Sequence, residues 1–100
     1  MDLLKISYEF SAIVWQYSGQ GNWYFVSLPV ELASEIRQHS KWQEEGWGRM
    51  KAKAKIGQTD WESAIWYDKK HGTYLLPLKK VIRLKEQIEV GKIITVFLFI

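Results

Sequence analysis

The stretch GRMKAKAKIGQTDWESAIW, residues 48–66, limits the possible folds of this chain more than any other. Arg49, Lys51, Lys53 and Lys55 alternate with Met50, Ala52, Ala54 and Ile56. A period of two marks a strand with one wet face and one dry face. Gly57-Gln58 then predicts a two-residue type II′ turn, with glycine where positive φ is required. Such a turn fixes the register. Lys55 faces Asp60, Lys53 faces Glu62, Lys51 faces Ala64 and Arg49 faces Trp66, with Ile56 opposite Thr59. The other face pairs Ala54 with Trp61, Ala52 with Ser63 and Met50 with Ile65, and a one-residue slip would scramble it. On the charged face the expected ion pairs are Lys55–Asp60 and Lys53–Glu62, each contributing from a few tenths up to about 1 kcal/mol. Arg49 is expected over the Trp66 ring as a cation–π contact. Four cations on one strand thus read first as a solvated face, with Arg49 and Lys51 left free for a partner.

The rest of the chain supplies strands of the same kind. Leu4, Ile6, Tyr8, Phe10, Ala12 and Val14 alternate with polar residues and predict a first strand. Gly19-Gln20-Gly21-Asn22 reads as a turn, WYFVSL (23–28) as a second strand, and Pro29 as the start of a helix running to about Ser40. Val30, Leu32, Ala33 and Ile36 form its apolar face, and Gly46 is read as its terminator. The hairpin strands follow at about 47–56 and 59–66, then a charged loop, YDKKHG, and a strand TYLL (73–76). After Pro77, Lys79 to about Leu84 predicts a short helix with Val81, Ile82 and Leu84 inward. The last strand, Ile93–Ile100, is apolar enough to read as buried on both faces. "WYFVSLPVELASEI" and "TYLLPLKKVIRL" share a strand, a Leu-Pro and a helix, so both halves of the chain read β-β-Leu-Pro-α-Gly-β. The plainer alternative is two coincident strand–Pro–helix junctions. The expected architecture is mainly β: a single domain over residues 1–100, a small closed six-stranded β-barrel of pseudo-duplicated β-β-α-β halves, with one longer and one short helix. Closure would remove exposed strand edges.

Composition bounds the chemistry. The chain is 47% hydrophobic and 25% charged, the balance of a globular domain, and its net charge of +3 and pI of about 9.2 are only mildly basic. There is no cysteine, which excludes disulfides and thiolate metal sites. The opening MDLLKISYEF lacks a signal-peptide pattern and IITVFLFI is too short to span a bilayer, so a cytoplasmic protein without membrane attachment is expected. Asp68 and His71 fall short of a metal site, and His39 has no evident partner. No phosphate loop, His-Glu-x-x-His or nucleophile elbow occurs. Glu9, Glu31, Glu35, Glu44 and Glu45 read as surface carboxylates. No cofactor, metal or catalytic residue is indicated, and the sequence leans away from an enzyme.

Six tryptophans are many for 100 residues. Trp23 and Trp61, on strands, read as core. Trp42 and Trp47, near the glycines, are expected to be partly exposed. Trp66 lies beside Arg49 at a strand end, where an aromatic ring with nearby cations suits stacking on a flat ligand.

The segments FSAIVWQYSGQGNWYFVSLPVELASEI, GWGRMKAKAKIGQTDWESAIW and GTYLLPLKKVIRLKEQIEVGK together resemble the small bacterial domain of unknown function 1905. The resemblance covers Phe10 to about Ile100. Its most specific parts are Trp23 to Pro29, Gly48-Arg49 leading to Ile56-Gly57, and Leu76-Pro77 followed by Arg83. It implies a compact β-barrel and transfers no activity. This chain has Trp66-Tyr67 where the family often carries a proline, and Gly91-Lys92 where it often has Gly-Asp.

The function expected from these readings is a binding or interaction module for an anionic or aromatic ligand, using Arg49, Lys51, Trp66, Lys79, Lys80 and Arg83. An anionic small molecule or single-stranded nucleic acid is the partner class. The alternatives are a small-molecule-binding barrel or enzyme with an interior pocket, and a homodimer assembled through Trp42, Trp47 or the last strand.

Overall fold

The computed structural model describes residues 6–19 and 21–100. Leu4, and Gln20 of the expected turn, lie outside these residues. The hairpin register predicted above is the register observed. Strand β4 (Arg49–Ile56) pairs with β5 (Thr59–Asp68) from Arg49↔Trp66 through Ile56↔Thr59. Met50, Ala52, Ala54 and Ile56 are buried, and Gly57 takes φ +58° at the turn. Trp61 fills the space left opposite Ala54 and packs, partly buried, against the core.

The remaining strands are β1 (Ser7–Ile13), β2 (Trp15–Gln16), β3 (Tyr24–Ser27), β6 (Thr73–Pro77) and β7 (Ile93–Phe99). They join the hairpin in one antiparallel sheet of order β1-β7-β4-β5-β6-β3-β2, bent into a half-barrel. This corrects the expected closed six-stranded barrel. The first predicted strand, which ends at Val14, is β1, and a short strand that was not predicted, β2, follows it because Val14 leaves the ladder: its N–H donates to Lys92 O and its carbonyl accepts from Gly91 N, both at 2.9 Å. β1 then pairs with β7 at one edge and β2 with β3 at the other. The two edge strands are consecutive in the chain, yet no ladder between them closes the sheet among the described residues.

Strand–strand–helix–strand does occur twice. With β1 and β2 taken together, exchanging the halves carries β4–β5 onto β7–β1 and β2–β3 onto β5–β6, while β3–β6 and β4–β7 map onto themselves.

Helix α1 (Val30–Ser40) begins at the predicted proline and continues through a 3-10 turn, Lys41–Gln43. Ala33 and Ile36 face the core, whereas Val30 is exposed. Gly46 does not end the helix. Glu45 turns back through Gly46, Trp47 and Gly48 to bridge Arg49, which delays β4 to Arg49. Helix α2 (Lys80–Lys85) buries Ile82, but Val81 and Leu84 point to solvent, because a helix this short presents a single inward position to the sheet. β7 is not buried on both faces either. Val96 and Leu98 are inward, while Ile93 and Phe97 lie on the outer face and are exposed. Ile6 is likewise exposed, and Tyr8, Phe10 and Val14 supply the core contacts of this first segment.

The α2 end of the molecule is tied to the hairpin by Glu86. Its carboxylate accepts from Gln58 N at 3.3 Å and Thr59 Oγ1 at 2.6 Å, and it occupies the space a Cβ on Gly57 would need. Gly57→Ala is therefore expected to lose about 1–2 kcal/mol of unfolding free energy from left-handed strain. Urea unfolding checks this, and unchanged stability would show that neither the turn conformation nor the Glu86 contact matters.

Candidate functional site

Alternation places one set of side chains on the outer face of the sheet, away from the core. On β5 and β6 the outer row is Trp66 beside Leu75, with Pro77 two residues further along. β3 adds Phe25 opposite Pro77, and β2 adds Trp15 opposite Phe25. Trp15 and Phe25 pack at 5.1 Å, Trp23 stacks on Phe25 at 6.1 Å with planes 8° apart, and Trp15 Nε1 donates to Ser27 Oγ at 3.0 Å. These rings border an open groove of about 710 Å³. Its apolar floor is Leu75 and Pro77, with Trp66 on one side and the Trp15–Phe25–Trp23 group on the other. Trp23 is 55% exposed, so the expectation that it packs the core is wrong. The period of two within WYFVSL already carried the answer: Val26 and Leu28 point inward, which puts Trp23 and Phe25 outward.

The anticipated cations sit around this groove. Arg49 lies 5.8 Å over the Trp66 ring, as expected, and Arg49, Lys51, Trp66 and Lys79 line a neighbouring hollow of about 400 Å³. Lys79, Lys80 and Arg83 line a further concavity of about 520 Å³ beside Trp23 and Pro77. The six residues thus fall in two adjoining hollows that share Lys79. Two of them are less free than the sequence implied. Arg49 Nη1 donates to Glu45 Oε1 at 3.1 Å, and Arg83 stacks 3.7 Å over Tyr24 while its Nε donates to Leu78 O. The ion pairs of the stripe are also reassigned. Lys53 Nζ reaches Asp60 Oδ2 diagonally at 3.5 Å, leaving Lys51 and Lys55 without an ion pair among the described residues. Trp42 and Trp47 are exposed as expected, at 80% and 89%.

At the end of the groove, β5 runs two residues beyond its predicted limit and delivers Asp68 to a tight turn. Asp68 Oδ1 accepts from Lys70 N at 3.1 Å, Asp68 O accepts from Gly72 N at 2.8 Å, and Oδ2 is hydrogen-bonded to His71 Nδ1. The His71 hydrogen bond holds the Asp68 carboxyl below its ordinary range, against the smaller opposing effect of burial. Asp68, Lys70 and His71 all line the aromatic groove. No cluster of three or more metal-ligating side chains occurs among the described residues.

A second polar cluster lies on the inner side and corrects the reading of Glu44 as a surface carboxylate. Its side chain is only 11% exposed. It accepts from Arg37 Nε at 3.2 Å and from the hydroxyl of the fully buried Tyr74. Arg37 lies 3.8 Å over the Tyr67 ring, which meets Tyr74 edge-on at 5.2 Å. Gly48, at φ +84°, packs against Tyr67 and accepts the Tyr67 N–H at 3.0 Å through its carbonyl. Burial of the Glu44 carboxyl opposes its charge, but the hydrogen bonds from Tyr74 and Arg37 prevail and lower its pKa. Burial chiefly, then Glu44, raises that of Tyr74. Together these contacts clamp the end of α1 onto β5 and β6. Nothing in the sequence distinguished Glu44 from Glu45, since the two differ only in which side of the turn they occupy.

The inner face itself is filled by Met50, Ile65, Tyr74, Leu76 and Leu98, each fully buried. No helix among the described residues is long and apolar enough to cross a membrane.

The family of domain of unknown function (DUF1905) matches residues 10–98, nearly the whole chain, and the protein belongs to that family. No curated protein matches it.

Because the folded-state pKa of Glu44 is depressed, its contribution to stability is present above the ordinary carboxylate range and is lost as pH falls through the lowered value. Glu44→Gln is expected to be less stable than the parent at neutral pH, by about 1.5–3 kcal/mol for a charged hydrogen-bond acceptor. The gap should shrink on acidification, and thermal unfolding between neutral and strongly acidic pH measures it. A gap independent of pH would show that the Glu44 charge plays no part.

Proposed function

We propose that the outer face of the sheet binds a ligand with a flat aromatic part and an anionic part. The observation that carries this reading is the position of Trp66. It lines both the aromatic groove and the hollow holding Arg49, Lys51 and Lys79. Arg49 covers one side of the Trp66 ring, so its opposite side is turned toward the Leu75–Pro77 floor. A ring stacked there shares the groove with Lys70, and the cations of the hollow lie on the other side of Trp66. The groove volume falls within the range of about 300–1,000 Å³ usual for small-molecule sites. Base-on-aromatic stacking contributes roughly 1–3 kcal/mol, and the exposed cations add an attraction that salt screens.

The ligand class is an anionic aromatic small molecule or single-stranded nucleic acid, recognised by Trp66 with Arg49, Lys51, Lys79, Lys80 and Arg83. A second reading is self-association, favoured by Trp42, Trp47 and Ile93, each at least 70% exposed. Concentration-dependent sedimentation separates the two.

Titration with nucleoside monophosphates and a short single-stranded oligonucleotide, followed by tryptophan fluorescence, tests the first reading. Quenching is expected at low salt and should weaken as salt rises. Trp66→Ala should lower affinity roughly tenfold or more, the loss of one stacking contact. Lys51→Glu with Lys79→Glu should reduce both affinity and its salt dependence. No fluorescence response to either ligand class at low salt would end the proposal.

A further inference from the structure

We infer that His71, oriented by Asp68, is the specificity-determining group of the aromatic groove and reads the polar edge of a nucleobase stacked within it. This rests on the binding reading above and narrows its ligand to a nucleotide.

The geometry begins with the turn after β5. Asp68 accepts the Lys70 and Gly72 backbone N–H groups, so its position is set by the backbone rather than by the imidazole. A carboxylate has no proton to donate, so the His71 Nδ1 bonded to it must carry one. Nε2 is therefore the nitrogen left for a ligand, and it has no partner among the described residues. An imidazole fixed in this way accepts a hydrogen bond at Nε2 when neutral and donates one when protonated. The pair sits at the groove's end, so a flat ring on the Leu75–Pro77 floor would present an edge to it.

The walls select a flat ring and the end selects what its edge carries. Strand β5 with Trp66 and strand β3 with Phe25 flank β6 on opposite sides. Their backbones are therefore about 10 Å apart, twice the strand spacing. Trp66 stands across from Leu75 and Phe25 across from Pro77, so the two rings border the floor diagonally, each offering a face to a flat ring laid between them. A sugar or lipid tail would use the aromatic walls but would leave the charge around the groove unanswered. A nucleobase supplies a face for Trp66, N–H groups and acceptors for His71, and a phosphate for Lys79 or Lys51. From Thr73 to Lys79 the chain advances six residues, about 20 Å at strand rise, and side chains reach inward from both ends. That length suits a nucleotide or a short run of single strand. The shared chemistry is a base with a phosphate, whether free or within a strand.

Isothermal titration of the intact chain tests this, using the four nucleoside monophosphates, ribose 5-phosphate and six-nucleotide homopolymers. The wild type should prefer one base over the others. His71→Ala should lower affinity for the preferred nucleotide roughly three- to tenfold, the range of one hydrogen bond. It should also flatten the preference among bases and leave ribose 5-phosphate unaffected. Asp68→Asn, which keeps the imidazole but removes the charge that orients it, should shift affinity the same way by less. Circular dichroism of both variants verifies the fold, and His71 is exposed in a turn. Binding of homopolymers with the same His71 dependence, but no binding of monophosphates, would support the inference with the strand as the source of the base. If the wild type binds nucleotides and His71→Ala retains both affinity and base preference, the inference is overturned while the binding surface stands. If the wild type binds neither nucleotides nor homopolymers, both fall.

Discussion

The curl of the sheet depends on the break at Val14. Ten residues, Ser7 to Gln16, are hydrogen-bonded to both ends of one sheet, first to β7 and then to β3. A nearly straight segment can serve two edges only if the sheet between them curls, and that curl is the half-barrel. Val14 makes the transfer without orphaning its backbone, since Lys92 and Gly91 take its N–H and carbonyl. The fully buried Val14 side chain anchors the same point from inside.

Curvature then divides the side chains into two populations with different chemistry. The inner face is packed with apolar residues, and among the described residues it admits one charged group at depth, Glu44, satisfied by Tyr74 and Arg37. An unpaired carboxylate there would be costly, so the clamp both uses and neutralises it. The outer face keeps its aromatic rings half open. Trp23 and Trp66 expose 55% and 39% of their surface, while Trp61, on the inner side, has its indole N–H buried without a hydrogen-bond partner among the described residues. A domain of this size gains little from leaving Trp, Phe, Leu and Pro together on the wet side of a sheet, and such patches mark interaction surfaces.

Much of this was legible in the sequence where local rules act alone. The 49–66 hairpin followed from alternation and the Gly57 turn, and α1 from Pro29 and its apolar spacing. Three features were not legible because they depend on the whole sheet. The closed barrel failed because the alternation ends at Val14 without signalling that the chain goes on there to pair with a different strand. Glu44 looked like Glu45 until the turn put one against Tyr74 and the other against Arg49. The ion pairs were assigned straight across the ladder, whereas Lys53 bonds Asp60 on the diagonal. The groove is an intermediate case. Trp66 with Arg49 beside it was read from the sequence, and the two are neighbours in the fold. Trp15, Phe25, Leu75 and Pro77 join them only because β2, β3 and β6 become neighbours of β5 across the sheet, and the Asp68–His71 pair was set aside because it was tested only as a metal site.

The central claim is that the outer face, and not the packed inner one, meets the ligand. The most direct measurement is the indole N–H region of a ¹⁵N-labelled sample as a nucleoside monophosphate is added. The account predicts that the Trp66 and Trp23 resonances move together with saturation while Trp61 stays fixed. Movement of Trp61 with Trp66 and Trp23 unchanged would contradict it.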